Sequence, residues 1–486
     1  MEVDAEVEQL RAALAARDAS LTVLEAELST ERARRVELEV EVAKLTAAVR
    51  ELLKVLGRNS SNSNKPPSSD PPGTGTKTSK KKPTGRRRGG QKGHRGSRRE
   101  LLPREQVDEV VDLFPQACES CWRSLPRSAD PFARRYQFTE LRPLSAHTTE
   151  YRRHAVRCPA CGYRTRAAYD ANVIPRFAFG PRLMAVVAML TGVYHLSRRQ
   201  TVRLLWELLG VRMSLGSVSA IEARVSKAVE PAVDEAWAEA RMASVKHTDG
   251  TSWRRAGVML SLWTVATAGV TVFKIVANGR GATLKELFVT FRGVLVSDRA
   301  TALKFWAMKR RQICWAHLVR KFVSFSERDG PVGAIGQELL EYTSLLFDYW
   351  TRLREGEIDR ATLIVRMAPV RLRFEALLER AVATKERDLS GSCEDILAHR
   401  EALWTFVEQE GVEPTNNHAE RELRGFVLWR RRSFGTQSER GERFAERMMT
   451  IAHTARKQGR DVLALLVACC TTRPADVPTP SLFAPA

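Results

Sequence analysis

Residues 245–300 read VKHTDGTSWRRAGVMLSLWTVATAGVTVFKIVANGRGATLKELFVTFRGVLVSDRA, and this stretch decides the fold of the central part of the molecule. Four short segments in it are rich in β-branched and aromatic residues and are separated by Gly or Asn, which predicts β-strands. They are 245–253, 257–267, 270–278 and 293–300. Residues 282–291 have helical character. Three strands, a helix and a fourth strand indicate a mixed α/β layer domain.

Helical patterns follow this stretch. Helices are predicted in TALKFWAMKRR (301–311) and CWAHLVRKFVSF (314–325). A block without a clear strand pattern then indicates a helical insertion, after which NNHAERELRGFVLWRRRSF (416–434) resumes a helix. The expected parts are a first half of the α/β domain at 243–329, the insertion at 330–412, a second half at 413–470 and a Pro-rich tail at 471–486.

The first 57 residues carry a heptad repeat whose phase never slips. Thirteen of its sixteen a and d positions are apolar, and the exceptions are Arg17, Glu31 and Arg35. Leu at most d positions and Val at some a positions favour a parallel dimer. Residues 1–57 are therefore predicted to form an intermolecular coiled coil, with a long helix packed on its own protein as the alternative.

Residues 58–104 are predicted to be a disordered basic linker. From 58 to 100 there is no Val, Ile, Leu, Met, Phe, Tyr, Trp or Ala, so the segment cannot bury enough apolar area to offset its ordering entropy. Its net charge of +11 favours contact with DNA, and a solvated linker is the alternative. The candidate DNA contacts are Lys80, Lys81, Lys82, Arg86, Arg87, Arg88, Lys92 and Arg95.

The charge of the whole chain is also unusual. Its 486 residues include 78 Lys and Arg against 57 Asp and Glu, a net charge of +21 that predicts an anionic polymer as partner. The first ten residues are acidic and lack an apolar core, and the longest apolar stretch, around 185–196, is too short to span a bilayer. We therefore expect a cytosolic protein without a membrane partner.

Two cysteine pairs have the spacing of a metal site, Cys118-Glu-Ser-Cys121 and Cys158-Pro-Ala-Cys161. In the cytosol such cysteines favour metal binding over disulfides. Two C-x-x-C turns can bring four thiolates to one tetrahedral Zn²⁺, and four thiolates leave no open position, which indicates a structural role. A zinc-binding domain is therefore predicted at 105–170, with a redox disulfide in each pair as the rival interpretation.

Residues 171–242 are predicted to be helical. The segment LSRRQTVRLLWELLGVRMSLGSVSAIEARVSKAV (196–229) reads as a helix, a turn near Gly210 and a helix that begins near Ser214. This pattern fits either a DNA-binding helix-turn-helix or an ordinary helical bundle. In the first case, the arginines facing phosphate would be Arg198, Arg199 and Arg203.

Three acidic residues stand out by position. Asp249 lies at or near the end of the first predicted strand, Asp298 ends the fourth, and Glu420 lies in the first turn of the helix opened by Asn416-Asn417. Two strand-end aspartates and a helix-borne glutamate could supply the hard oxygen ligands of a metal pair, with ions about 3.5–4 Å apart, as phosphodiester transfer requires.

Each acidic residue also has a purely local interpretation. Asp249-Gly250 is a typical hairpin-turn dipeptide, and Asp298 could cap a following helix. Glu420 could complete a capping box or pair with Arg424. The order of the three acidic residues and the strand pattern around them favour the shared site.

Several blocks in this order resemble bacterial insertion-sequence transposases of the IS66 family, almost from end to end. They are GRNSSNSNKPPSSD (57–70), GGQKGHRG (89–96), the paired cysteine turns, DGT (249–251), SDRA (297–300), ICWAHLVRKF (313–322) and NNHAERELR (416–424). The resemblance implies an RNase H-like fold with a DDE triad at Asp249, Asp298 and Glu420. The fold class expected for the whole chain is then multidomain α+β.

The resemblance also implies an activity and partners. These are metal-dependent cleavage of DNA at transposon ends and 3′-hydroxyl strand transfer, with Mg²⁺ or Mn²⁺ at the three carboxylates. The partners would be double-stranded DNA, as terminal inverted repeats and target, a second copy of the chain in a homodimer or higher oligomer, and accessory transposition proteins. The location would be the bacterial cytoplasm, in association with the nucleoid.

Two other functions stay open from the sequence. A non-catalytic, zinc-dependent dimeric DNA-binding regulator explains the charge, the cysteines and the heptads, and an RNase H-like structure-selective nuclease explains the acids. Cys314 and His317 form a Cys-x-x-His element, and one interpretation of this element is a partial metal site. We favour a helix start with Cys314 buried and His317 locally hydrogen-bonded.

Overall fold

The computed structural model describes residues 100–169, 177–471 and 480–483, together with scattered positions between Arg17 and Val49. The described positions of the predicted coiled coil are helical, and their large apolar side chains are exposed, from 47% at Leu21 to 61% at Leu45. Pairing of this helix with a second copy stays a prediction. Residues 58–99 and all eight candidate DNA contacts within them lie outside the described residues.

The strands form two sheets. The first is an antiparallel pair, β1 (Ala155–Arg157) and β2 (Arg164–Arg166). The second is a mixed sheet in the order β5-β4-β3-β6-β7. Its strands are β3 (Val245–Arg255), β4 (Val258–Ala266), β5 (Thr271–Val276), β6 (Val294–Ser297) and β7 (Arg311–Ile313). The mixed α+β class expected from the sequence is therefore confirmed.

Helices make up most of the remaining described structure. Before the mixed sheet they are α1 (Pro181–Ala188), α2 (Arg198–Leu209), α3 (Leu215–Ala228) and α4 (Glu230–Met242). Within and after it they are α5 (Gly281–Leu287), α6 (Trp315–Ser326), α7 (Gly330–Arg354), α8 (Arg360–Ala383), α9 (Leu389–Leu397), α10 (Arg400–Leu403), α11 (Thr405–Glu408), α12 (Asn417–Ser433), α13 (Glu439–Lys457) and α14 (Val462–Cys470). Among the described residues, no helix is both long and apolar enough to cross a bilayer.

The chain divides into two compact units. The first contains Ser244–Asp249 and Arg280–Val427, with Met1–Thr76. In it, the start of β3 pairs in parallel with β6, which pairs in parallel with β7. Its core includes a cluster of aromatic side chains, with the rings of Trp315 and Trp404 centred 5.1 Å apart and Phe374 against both. This core holds β6, β7 and the following helices as one body.

Residues 330–412 are helical, as the sequence indicates, and form α7 to α11. Their short helices are hydrogen-bonded to β7 and to the start of α6. The carbonyl of Leu403 accepts from the indole of Trp315 at 2.8 Å and from Gln312 at 3.0 Å. The hydroxyl of Thr405 donates to the carbonyl of Arg311 at 2.7 Å. The helical block therefore supports the strand and the helix that lead into the candidate site.

The second unit contains Lys77–Ala243, Gly250–Gly279 and Leu428–Ala486. Strands β4 and β5 pair antiparallel from Ser261 opposite Val276 to Ala266 opposite Thr271. Helix α13 packs alongside β5. Three of its side chains, spaced one turn apart, accept hydrogen bonds from backbone N–H groups of the strand. These bonds run from residues 275, 273 and 271 to Glu446, Thr450 and Thr454. Side chains of a helix thus satisfy the backbone donors of β5.

The helix boundaries near residue 200 follow the capping signals in the sequence. The Ser197 side chain accepts from the N–H of Gln200 in a full capping box, Gly210 ends α2 with φ 64°, and Ser214 caps α3. Two of the three arginines proposed to face phosphate are engaged by carboxylates, Arg198 by Glu222 and Arg203 by Glu207. A DNA-binding role for these helices stays a prediction.

Two local predictions were wrong. Residues 301–311 are not a helix: two single 3₁₀ turns lead into β7, whose Arg311 is fully buried and donates to the hydroxyl of Ser297 and the carbonyl of Asp298. Asp249 does not end its strand or begin a hairpin turn, since β3 continues to Arg255 and the turn falls at Ala256-Gly257, both at positive φ.

Candidate active site

Asp249 and Asp298 lie on neighbouring parallel strands of the first unit. The register pairs His247 with Val296, so each aspartate stands two residues beyond this pair in the same direction. Asp298 directly follows the last residue of β6, as predicted, whereas Asp249 lies within β3. Because the strands are parallel, the two aspartates fall at matching positions along the sheet.

The local contacts of Asp298 fix its backbone. Its Oδ1 accepts from the N–H of Ala300 at 3.0 Å in a short-range turn. Asp298 does not cap a helix, because only the single 3₁₀ turn Thr301–Leu303 follows, and that turn has no side-chain cap. Its carbonyl accepts from Arg311 at 2.8 Å. Burial lowers the pKa of Arg311 to about 10, against the opposite effect of nearby Asp298 and Asp395, so this guanidinium stays charged at neutral pH. Asp298 is therefore held over a buried positive charge.

Glu420 is positioned through Asn416, which is fully buried. The side-chain amide of Asn416 donates to the carbonyl of Thr248 at 2.8 Å, next to Asp249. Its backbone N–H donates to the Sγ of Cys314 at 3.1 Å, and Cys314 in turn donates its N–H to Ser297, next to Asp298. The N–H of Glu420 bonds the carbonyl of Asn416 at 3.3 Å, one turn away. The start of α12 is thus tied to residues adjacent to both aspartates.

The Glu420 carboxylate lies in a half-buried, charged environment. Its oxygens are 3.8 Å from Nδ1 of His317 and 3.7 Å from the guanidinium of Arg320, and its side chain is 27% exposed. The ion pair with Arg424 considered from the sequence is not the one formed. Within the part of the chain that the structure describes, Oε1 of Glu420 and Nδ1 of His317 are buried without a hydrogen-bond partner. Such atoms have lone pairs available for a ligand.

Cys314, His317 and Glu420 form a cluster whose ligand atoms all lie within 4.8 Å of one another. Cys314 directly precedes α6 and is fully buried, as expected, but the His317 side chain faces Glu420 rather than a local partner. Burial raises the pKa of Cys314 to about 11. Burial also lowers the pKa of His317; nearby Glu420 and Asp298 oppose this lowering, and Arg320 adds to it. Both groups are therefore neutral at pH 7 without a metal.

Two sets of donors lie in this region, but among the described residues only the cluster at Cys314 has its ligand atoms within 4.8 Å of one another, so a metal shared by the three carboxylates stays a prediction. Asp249, Asp298 and Glu420 offer hard oxygen atoms, which suit Mg²⁺ or Mn²⁺. Cys314 and His317 with Glu420 offer a softer mixture of sulfur, nitrogen and oxygen, which suits Zn²⁺. Glu420 belongs to both sets. The Cys-x-x-His spacing at a helix start was visible in the sequence, but its closeness to Glu420 was not.

Residues 176–443, more than half of the chain, match the family described as Transposase IS66 family. The chain belongs to the IS66 transposase family. The matched residues include all three candidate carboxylates and the Cys314–His317 element. Residues 1–100 also match a family of unknown function, DUF6444, which covers the predicted coiled coil and nearly all of the basic linker.

Two relatives of this IS66 family member come from Sinorhizobium fredii. The uncharacterized protein y4hP is 24% identical over 362 residues, which are 67% of this chain and 65% of the relative. The uncharacterized protein y4jD is 24% identical over 402 residues, 75% of this chain and 76% of the relative. The chain therefore spans less than two thirds of the length of the first relative.

The two cysteine pairs of this IS66 family member form similar turns. Trp122 and Gly162 donate their N–H groups to the carbonyls of Cys118 and Cys158, and all four thiols are free. Backbone N–H groups, first from Cys121 and Cys161 respectively, lower the pKa of Cys118 and of Cys158. Among the described residues, however, the only cluster of three or more potential metal ligands is the one at Cys314. The structure does not bring the two pairs together, so the four-thiolate zinc site stays a prediction.

Proposed function

We propose that this chain is a DDE-type transposase that cleaves DNA at the ends of a mobile element and joins the freed 3′-hydroxyl to target DNA. Membership of the IS66 family supports the class of reaction. One observation carries the assignment of residues: Asn416 connects the helix of Glu420 to Thr248 and Cys314, beside the two strands that carry Asp249 and Asp298. Those three carboxylates are the proposed catalytic ligands.

The proposed metal is Mg²⁺, with Mn²⁺ as a substitute. Carboxylate oxygens suit these ions, and the buried, unpartnered Oε1 of Glu420 is a donor that such an ion would use. When bound, a pair of divalent ions supplies an activated hydroxyl for attack on the phosphodiester and stabilises the leaving oxygen. No serine or tyrosine nucleophile is required.

The surrounding side chains have roles of their own in this proposal. Arg320, 3.7 Å from Glu420, balances the charge of the carboxylate and limits its rotation. Arg299 is bound to Asp395 at 2.6 Å and adds a fixed positive charge directly after Asp298. His317 is neutral at pH 7 because burial lowers its pKa, so it forms no permanent ion pair that would keep Glu420 from a metal.

Other parts of the chain would serve DNA handling. The coiled coil at 1–57 would pair two protomers, because two element ends must be brought together. The basic linker at 58–104 and the helices before the mixed sheet would hold those ends, since clustered Lys and Arg gain free energy by counterion release. Zn²⁺ at Cys118, Cys121, Cys158 and Cys161 would stabilise the domain at 105–170.

The test uses the full chain, Mg²⁺ and a labelled DNA that carries the ends of the element encoding it. Asp249→Asn, Asp298→Asn and Glu420→Gln are each expected to abolish cleavage and 3′-end joining while DNA binding persists. Glu413→Gln, an exposed glutamate just before α12, is the matched control and should keep full activity.

The outcomes separate the rival functions. Cleavage without joining to a second DNA would identify a nuclease. Binding without cleavage in the unchanged chain, with Mg²⁺ or Mn²⁺, would identify a regulator. Activity that survives Asp298→Asn would exclude this carboxylate from the chemistry and with it the proposed triad.

A further inference from the structure

A groove in the second unit combines positive charge with an exposed aromatic ring. Its volume is about 560 Å³. It is lined by Ser252, Arg254, Met259, Arg430, Arg431 and Phe434. Ser252 and Arg254 alternate along β3 and so share one face of the strand, Met259 comes from β4, and the other three come from the end of α12 and the residue after it.

The Phe434 side chain is exposed to solvent and does not pack in the core. Its side chain is 78% exposed, and its backbone has φ 57°, which is uncommon for a bulky residue. The surrounding backbone fixes this position: the Phe434 N–H bonds the carbonyl of Arg430 at 2.8 Å, and Thr436 is bonded through its N–H to Arg254 and through its carbonyl to Ala256. The ring is thus presented to solvent from a hydrogen-bonded turn.

The charge of the groove is of one sign. None of the described residues that line it is Asp or Glu. Arg254 and Arg431 are exposed, and neither forms an ion pair with any carboxylate that the structure describes. Arg430 is fixed by bonds to the hydroxyls of Thr251 and Ser252, and burial, with a smaller effect of neighbouring Arg431, lowers its pKa. An anionic ligand would relieve this concentration of positive charge.

We propose that this groove binds a single-stranded stretch of DNA, with one base stacked on Phe434 and the adjacent phosphates on Arg254 and Arg431. An aromatic face beside arginines is the arrangement that single strands use, since each base offers a π-face and each linkage a phosphate. Paired bases in a duplex have no free face for the ring. The inference rests on the proposed function, because it assigns part of the DNA-binding surface of a transposase.

The test measures binding of the full chain to a fluorescent single strand and to a hairpin duplex of the same sequence. Phe434→Ala should weaken single-strand binding by roughly tenfold, the size of one stacking contact, and change duplex binding less than twofold. Phe434→Tyr should keep the single-strand binding of the unchanged chain, because a tyrosine ring also stacks. Val289→Ala, which shortens another exposed apolar side chain, is the control and should have no effect.

A second measurement locates the contact. A single strand carrying 5-iodouracil should crosslink on irradiation to Phe434 in the unchanged chain and in Asp298→Asn, but not in Phe434→Ala. The inference would be overturned if Phe434→Ala weakened single-strand and duplex binding equally, or weakened neither. Crosslinks that form only at residues other than Phe434 would also overturn it. So would a dimer in sedimentation experiments that Phe434→Ala dissociates, because the groove would then hold a second protomer. Persistent cleavage by Asp298→Asn would instead overturn the proposed catalytic triad and leave this result standing.

Discussion

Replacing Asn416 tests how Glu420 is positioned without altering a proposed metal ligand. Asn416→Ala removes the 2.8 Å hydrogen bond to the carbonyl of Thr248, a residue that is 1% exposed. Loss of a buried bond of this kind costs about 1–3 kcal/mol, which corresponds to roughly 5- to 150-fold easier opening of the first turn of α12. A displacement of about 1 Å at a reacting centre can lower a rate roughly a hundredfold. We therefore expect kcat to fall at least about tenfold with little change in KM.

Hydrogen–deuterium exchange gives the structural measurement. The Glu420 amide, whose partner is the carbonyl of Asn416, should exchange faster in Asn416→Ala by the factor given above. Asn417→Ala is the matched control, because Asn417 is the next residue and is exposed. If exchange at Glu420 is unchanged while cleavage is lost, or if both are unchanged, the connection through Asn416 does not position the glutamate.

Three further predictions concern the second unit. Burial, with smaller effects of Arg432 and His453, lowers the pKa of His195 from 6.5 to about 4. The folded protein therefore holds His195 neutral, and the stability gained in this way above pH 6.5 is lost as the pH falls from 6.5 towards 4. His195→Asn, which tolerates φ 59°, should reduce this acid-dependent fall in melting temperature, and an identical fall would contradict the assignment. Thr450→Val removes the acceptor for the buried N–H of Phe273 and should lower the free energy of unfolding in urea by about 1–3 kcal/mol, whereas the exposed control Thr351→Val should lower it by less than about 0.5 kcal/mol. Cys118→Ser and Cys158→Ser should each lower the zinc content measured by mass spectrometry, whereas Cys469→Ser should not, and an unchanged content in the first two would remove the proposed zinc site.

Local features of the fold could be predicted because their causes are local. Ser197 and Ser214 are capping residues whose partners lie three positions away, and both helices begin where these signals indicate. The strand that ends directly before Asp298 and the helix that carries Glu420 in its first turn follow from short patterns in the same way. Residues 330–412 were recognisable as helical because the pattern extends over several helices.

Features that depend on distant residues were not predictable from one sequence. Strand β7 was missed because it has three residues and begins at Arg311, a charged side chain that is buried only because three partners from elsewhere in the fold accept its hydrogen bonds. The place of Asp249 within β3 was misjudged because Asp249-Gly250 is a frequent turn dipeptide, yet in the folded chain the turn lies at Ala256-Gly257.

The candidate site shows the same limit. His317 and Glu420 are 103 positions apart, and no periodic pattern connects them. Their 3.8 Å separation arises from the contacts of Asn416 and Pro414 with the start of α6. The order of the acidic residues along the chain could suggest a shared site, but only the folded structure reveals which neighbours surround each carboxylate.

The contacts of α13 along β5 limit how two copies of the chain can associate. A sheet whose outermost strand displays bare N–H groups invites a strand from another molecule to extend it. Here the outward donors of residues 271, 273 and 275 are already occupied by a helix of the same chain. Strand exchange between protomers at this edge would first require α13 to detach, so association that leaves this unit intact must use another surface.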